Sequence, residues 1–190
     1  MTKELRWRVV ALQVVLVMVL AFSAGFLYWG SGFVNGMVRD QLAAQKIYFP
    51  PPSQIKAGGA LDPAEFPAEI RNYAGQQVDT GDKARVYAND FIAIHLTKVA
   101  NGQTYSQVSA ASLADPKNTA LANQANTLFK GETLRGLLLY AWGWSQVGLY
   151  ALYAAIGLTI AAVVVFSTLV FELLMAWRPA AVRKIVPMPV

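Results

Sequence analysis

His95 is the chain's single histidine, and no cysteine occurs among its 190 residues. Those two facts remove much of the chemistry that side chains perform. Without thiolates there is no disulfide, no cysteine nucleophile, no iron–sulfur cluster and no cysteine-based zinc site. A zinc centre wants three or four ligands, usually with several histidines among them. A haem held in a membrane by two imidazoles wants a second ring. A serine triad would have to be built on His95, and no nucleophile-elbow motif supports one. There is no P-loop and no GxGxxG, hence no nucleotide motif. His95 falls beside Tyr87, Phe91 and Ile94 on a helical pattern, which predicts a partly buried structural histidine. The expectation is a chain with no catalytic residue, no cofactor and no metal: not an enzyme.

Two polar features remain. Glu172 sits inside an apolar run, six residues before Arg178, a depth of roughly 9 Å by helix rise. An acid within a membrane span is a functional candidate by default. At this depth the carboxylate can also reach the headgroups or pair with Arg6 or Arg8. The second feature is the aromatic group Trp142, Trp144, Tyr150 and Tyr153. It reads as an interfacial belt, or as a docking surface for lipid tails, pigment or partner helices.

The elements that carry these residues follow from where the apolar residues lie. One uncharged apolar run extends from Val9 to about Trp29 and a second from about Gly136 to Trp177. Each exceeds the roughly 20 residues that a spanning helix needs. Hydrophobic residues make up 55% of the chain and charged residues 14%, against about 25% charged in a typical soluble domain. Lys3, Arg6 and Arg8 precede the first run and Arg178, Arg183 and Lys184 follow the second. By the positive-inside rule both termini are expected in the cytoplasm and the central segment outside it. The first run carries on through bulky Phe22 and Phe26 to Trp29, which favours an uncleaved anchor over a signal peptide. From Trp144 to Trp177 a helix would cover about 50 Å, more than the hydrocarbon thickness of about 30 Å. Residues 136–148 are therefore expected in or above the headgroups. Folding Gly136–Trp177 into two spans would require a turn near Gly157 and would separate the termini.

Small residues supply faces on which helices can approach. Gly32 and Gly36 form a GxxxG, while Ala151, Ala155, Gly157 and Ala161 make small stripes on the second run. Together with Trp142 and Trp144 these are the expected packing or partner interface.

Between the runs, Met37–Ile47 is expected to prolong the first helix until Pro50, Pro51 and Pro52 impose an extended arm at 48–52. Asp62-Pro63 resembles a helix start. Spacing from Asp82 to Ala100 predicts a helix that ends at Asn101-Gly102. Thr104 with Gln107 forms a capping-box pattern for a short helix to Ala114, and Asp115-Pro116 suggests the start of the next. No strand alternation is visible.

The strings His95-Leu-Thr-Lys-Val-Ala-Asn-Gly-Gln-Thr-Tyr-Ser-Gln-Val-Ser-Ala110 and Leu128-Phe-Lys-Gly-Glu-Thr-Leu-Arg-Gly-Leu-Leu138 resemble a group of small two-span actinobacterial membrane proteins of unassigned function. The resemblance runs from about Gln45 to Leu138, includes Phe49-Pro50, and implies topology and lineage without an activity.

The expectation is thus an all-α membrane protein, with two transmembrane helices and a small helical extracytoplasmic domain inserted between them. Its parts are a cytoplasmic tail (1–8), helix one (9–34), the outer domain (35–135), an interfacial stretch (136–148), helix two (149–177) and a second cytoplasmic tail (178–190). Lipids and other membrane-protein subunits are the expected partners. Nucleic acid is not, because no basic stripe with partnered aromatics exists. Three functions are weighed: a non-catalytic accessory or scaffold subunit of a larger membrane complex, plausibly respiratory or transport; a homo-oligomeric channel or carrier; and an extracytoplasmic sensor or binding protein. The spans offer a pore few polar groups, and the tails leave little room for a sensor's output module.

Overall fold

The computed structural model describes residues 3–177; the basic residues Arg178, Arg183 and Lys184, like the whole 178–190 tail, lie outside the described residues. All regular structure among the described residues is helical, apart from an isolated antiparallel bridge between Tyr48 and Gln77. The longest elements are α1 (Lys3–Ala44) and α6 (Thr119–Trp177), and both are long and apolar enough to cross a membrane. α6 runs unbroken through Gly157, so its apolar run is one helix and not a hairpin. The chain divides into two compact units, Met1–Gly30 with Tyr150–Val190, and Ser31–Leu149.

In the first unit one set of covered residues recurs at alternating spacings of three and four: Val10, Gln13, Val17, Leu20, Ala24 and Leu27 on α1, and Ala155, Leu158, Ala162, Val165, Leu169 and Glu172 on α6. That period keeps one seam facing a partner helix and belongs to left-handed, shallow-angle packing. Gln13 meets Thr168, while Tyr28 and Thr159 line one cleft farther along, so the two helices run antiparallel. Away from the seam the surface is apolar, with Leu12, Phe22, Phe26, Ile160 and Phe171 all exposed. Hydrocarbon suits such a face; in water it would exceed the apolar patches that soluble monomers carry.

The second unit holds the remaining elements: a 3-10 turn at Pro52–Gln54, α2 (Ala68–Arg71), α3 (Gly81–Val86), a π-helical segment (Tyr87–Ile92), α4 (Ala93–Val99), α5 (Tyr105–Ala114) and the near portions of α1 and α6. Its main core gathers Val38 and Leu42 of α1, Leu138 of α6, and Phe49, Leu61, Phe66, Ile70, Val78 and Ala84 between them. A smaller cluster, Leu96, Ala100, Val108 and Leu128, lies under α5.

Several local expectations are met. α1 does continue past the span, to Ala44. Asn101 and Gly102 take positive φ after α4, which ends a helix. The capping box between Thr104 and Gln107 is complete in both directions.

Others are corrected. Asp62-Pro63 opens a turn, not a helix. The Asp62 carboxylate accepts from the Gly58 and Ala64 N–H groups, and those two backbone donors hold it below the usual carboxylate range. The helix waits until after Pro67 and runs only from Ala68 to Arg71. α3, by contrast, starts at Gly81, where about Asp82 was expected, and is capped by Thr80, whose hydroxyl accepts from Lys83 N. Asn118, through its carbonyl and Leu121 N, caps α6 in place of Asp115. The expected continuous helix 82–100 contains six residues of π geometry in its middle.

The extended arm is fastened to the second unit through Phe49, while Tyr48, Pro51 and Pro52 stay exposed. Phe49 is 2% exposed, stacks on Tyr73 and meets Tyr87 edge-on. Its N–H donates to Gln76 O, Gly75 N donates to Pro50 O, and Val78 N to Ile47 O. Proline loses its donor but keeps its carbonyl, so the arm pairs through the groups it retains. Gly75, at φ 74°, supplies the left-handed turn opposite it.

Candidate functional site

An apolar concavity of the second unit lies between α1 and α6. Val38, Leu42 and Leu138 are core residues and form its floor; Met37, Gln41 and Gln45 rise on one side, Leu134, Leu137, Tyr140 and Trp144 on the other. Its volume is about 420 Å³, within the range of ligand and side-chain pockets. The α6 wall is an exposed stripe. Leu137 is 63% exposed and Tyr140 66%, and Trp144 and Val147 continue it. Their spacing of three, four and three residues is the one that seats a partner helix. Tyr140 and Trp144 stand edge to face at 6.2 Å, which presents the two rings as one rigid surface.

The sequence-predicted site residues are distributed as follows. Trp144 belongs to this stripe, while Trp142 is half-covered. Ala155 is buried in the first unit's seam, Ala151 and Ala161 are partly covered, and Gly157 is exposed. Gly32 and Gly36 do not make close packing inside the chain, because a Cβ built on either meets nothing within 4 Å. The glycines that do permit close approach are others. A Cβ on Gly81 would overlap Ser145, one on Gly131 would overlap Leu96, and one on Gly148 would press on Asn35 at 2.9 Å. None of these three lies in a GxxxG, and only the fold could identify them, since each contact joins elements distant in sequence.

Glu172 lies on the seam of the first unit. Among the described residues it makes no ion pair with Arg6 or Arg8, and its Oε2 is enclosed without a hydrogen-bond partner, as is Oε1 of Gln13. Gln13 Nε2 donates to Thr168 Oγ1 at 3.5 Å, one turn of α6 before Glu172. The two enclosed acceptors thus belong to one polar patch in an otherwise apolar helix pair.

His95 is exposed, not partly buried. It ends an aromatic ladder, 4.4 Å from Phe91 and 5.3 Å from Phe66 between ring centroids, with Nδ1 2.9 Å from Phe91 O. No group of three or more His, Cys, Asp or Glu able to hold a metal ion occurs among the described residues. The same ladder covers the π segment. There, burial first and the nearby Glu69 second push the Asp90 carboxyl up, against the opposing pull of Arg85. Arg85 pairs with Glu69 and Lys98 with Glu65. Both pairs lie at the surface and contribute little to stability.

Compared with protein-family models, curated proteins and solved structures, the chain matches none. Function must therefore be argued from the residues.

Proposed function

We propose that this chain is a non-catalytic accessory or scaffold subunit of a larger membrane complex, and that it holds a partner's helix along the Leu137–Tyr140–Trp144–Val147 stripe. The observation that carries this reading is the stripe itself, an exposed, rigid, apolar face with helix-seating periodicity beside a groove of matching character. Lipid cannot cover all of it. Residues Gly136–Phe171 carry no charge and as helix cover about 54 Å, whereas a bilayer with its headgroups measures about 40–45 Å. A typical tilt of about 20° shortens the projection by only a few ångströms. Part of the apolar surface of α6 therefore projects past the lipid and needs protein to cover it.

The membrane arrangement that goes with this function has both termini in the cytoplasm and residues 35–135 on the other side, from the positive residues that flank the two runs. A reporter active only in the cytoplasm is expected to work when fused at Val190 and to be silent when inserted beside Gly58, an open, positive-φ turn position. The reverse pattern would overturn the arrangement.

Docking is tested by gentle extraction and mass spectrometry of co-migrating proteins. Wild type is expected to carry a partner. Tyr140→Ala with Trp144→Ala should release it, since buried interface aromatics each contribute about 2 kcal/mol or more, while insertion and monomer folding persist. A wild-type protein that migrates alone would end the accessory-subunit reading.

A further inference from the structure

Gly32 and Gly36 contribute nothing to packing within the chain, yet both line a second concavity of about 460 Å³ in the Ser31–Leu149 unit. Asn35 and Arg39 of α1, Asp79 and Thr80, and Ser145 of α6 complete its polar wall.

The charges and donors there are not balanced. Asp79 is already neutralised by Lys83, Nζ to Oδ1 at 2.8 Å. Arg39 is exposed and makes no ion pair among the described residues, so Arg39, Asp79 and the Lys83 that pairs with it sum to one positive charge. The Thr80 Oγ accepts from Lys83 N, which leaves its proton to donate. Asn35 Nδ2 has one long bond, 3.5 Å to Ser31 Oγ, and a second proton free. Ser145 gives its proton to Trp142 O and so presents lone pairs. One guanidinium, one amide and one hydroxyl are donors for an oxyanion, and a guanidinium matches a phosphate's geometry. Ser145 Oγ and the remaining Asp79 oxygen can accept from hydroxyls beside that anion.

Position selects the source of the phosphate. Arg39 is the first charge after Arg8, with the uncharged residues Val9–Val38 between them. That length of helix is about 45 Å, close to a bilayer with both headgroup layers at about 40–45 Å. In the membrane-spanning arrangement, on which this inference rests, Arg8 and Arg39 stand at opposite headgroup levels.

We propose that this pocket binds the phosphodiester of an anionic, hydroxylated phospholipid headgroup, with Arg39, Asn35 and Thr80 on the phosphate and the open floor at Gly32 and Gly36 admitting the headgroup.

The test is a titration of the purified, delipidated full chain in mild detergent with short-chain phosphatidylglycerol, short-chain phosphatidylcholine and inorganic phosphate. Wild type should bind phosphatidylglycerol about tenfold more tightly than phosphatidylcholine. Arg39→Gln removes the cation, and Gly36→Leu fills the floor where nothing within 4 Å opposes a Cβ. Each should weaken phosphatidylglycerol binding about tenfold or more, while Lys56→Gln, an exposed cation outside the pocket, should not. Equal affinity for the two lipids would overturn the proposal. So would a Gly36→Leu protein that binds like wild type, which would reduce the effect to surface charge, or inorganic phosphate that competes at equal affinity. A chain that purifies from the soluble fraction without detergent would instead end the spanning arrangement, a result separable from any lipid titration.

Discussion

Replacing Phe49 with alanine is expected to lower the stability of the protein by about 3–5 kcal/mol. The ring is 2% exposed, stacked on Tyr73 at 5.5 Å and edge-on to Tyr87 at 5.2 Å by centroid, and belongs to the main core of the second unit. Truncation removes its transfer term and leaves a cavity between two aromatic neighbours. Both Tyr48 and Pro50 are fixed by main-chain pairing to residues 75–77, so the backbone cannot easily collapse to fill the space. Phe49→Leu keeps most of the volume and should cost less than about half as much. Chemical unfolding in mild detergent, followed by intrinsic fluorescence, measures both. A loss under about 1 kcal/mol for Phe49→Ala would show that the arm is held by its main-chain bonds alone.

Gly81 and Gly36 should respond with opposite signs to the same change. Gly81 is buried at the start of α3, where an added Cβ would overlap Ser145 Oγ and Cβ and lie 3.4 Å from Trp142 Cα. α6 backbone lies behind those atoms and cannot yield cheaply. Gly81→Leu is therefore expected to cost about 3 kcal/mol or more, at or beyond the upper end of overpacking penalties, and Gly81→Ala a smaller loss. Gly36 lies inside α1 with nothing within 4 Å of its Cβ position, and there alanine should stabilise by about 0.5–1 kcal/mol through helix propensity alone. The two alanine variants, compared in one detergent by thermal unfolding, separate close approach from flexibility. A stabilised Gly81→Ala would contradict the contact with Ser145.

Much of the helical layout was legible because its causes are local. Thr104 and Gln107 lie three residues apart and cap one another whatever surrounds them. Asn101 and Gly102 adopt positive φ from their own backbone preferences. The misplaced starts at Asp62 and Asp115 were local too, but each had a competitor nearby. Asp62 spent its carboxylate on two turn donors, while Asn118 reached the free N–H groups of α6 first. The π segment left no trace in the sequence, because hydrogen-bond register within a helix does not alter the apolar period enough to read.

Alone, the sequence determined that nearly every element is helical and that two helices are long and apolar enough to span a membrane. Both depend on composition and period along a single stretch of chain. Only the tertiary structure decided which residues face one another. It buried Phe49 within the proline arm, exposed His95, gave close approach to Gly81, Gly131 and Gly148, and left Gly32 and Gly36 open beside Arg39. It also left Leu137, Tyr140 and Trp144 uncovered. These are meetings between residues tens of positions apart, settled by packing volume and by which polar groups find partners. No local pattern encodes either.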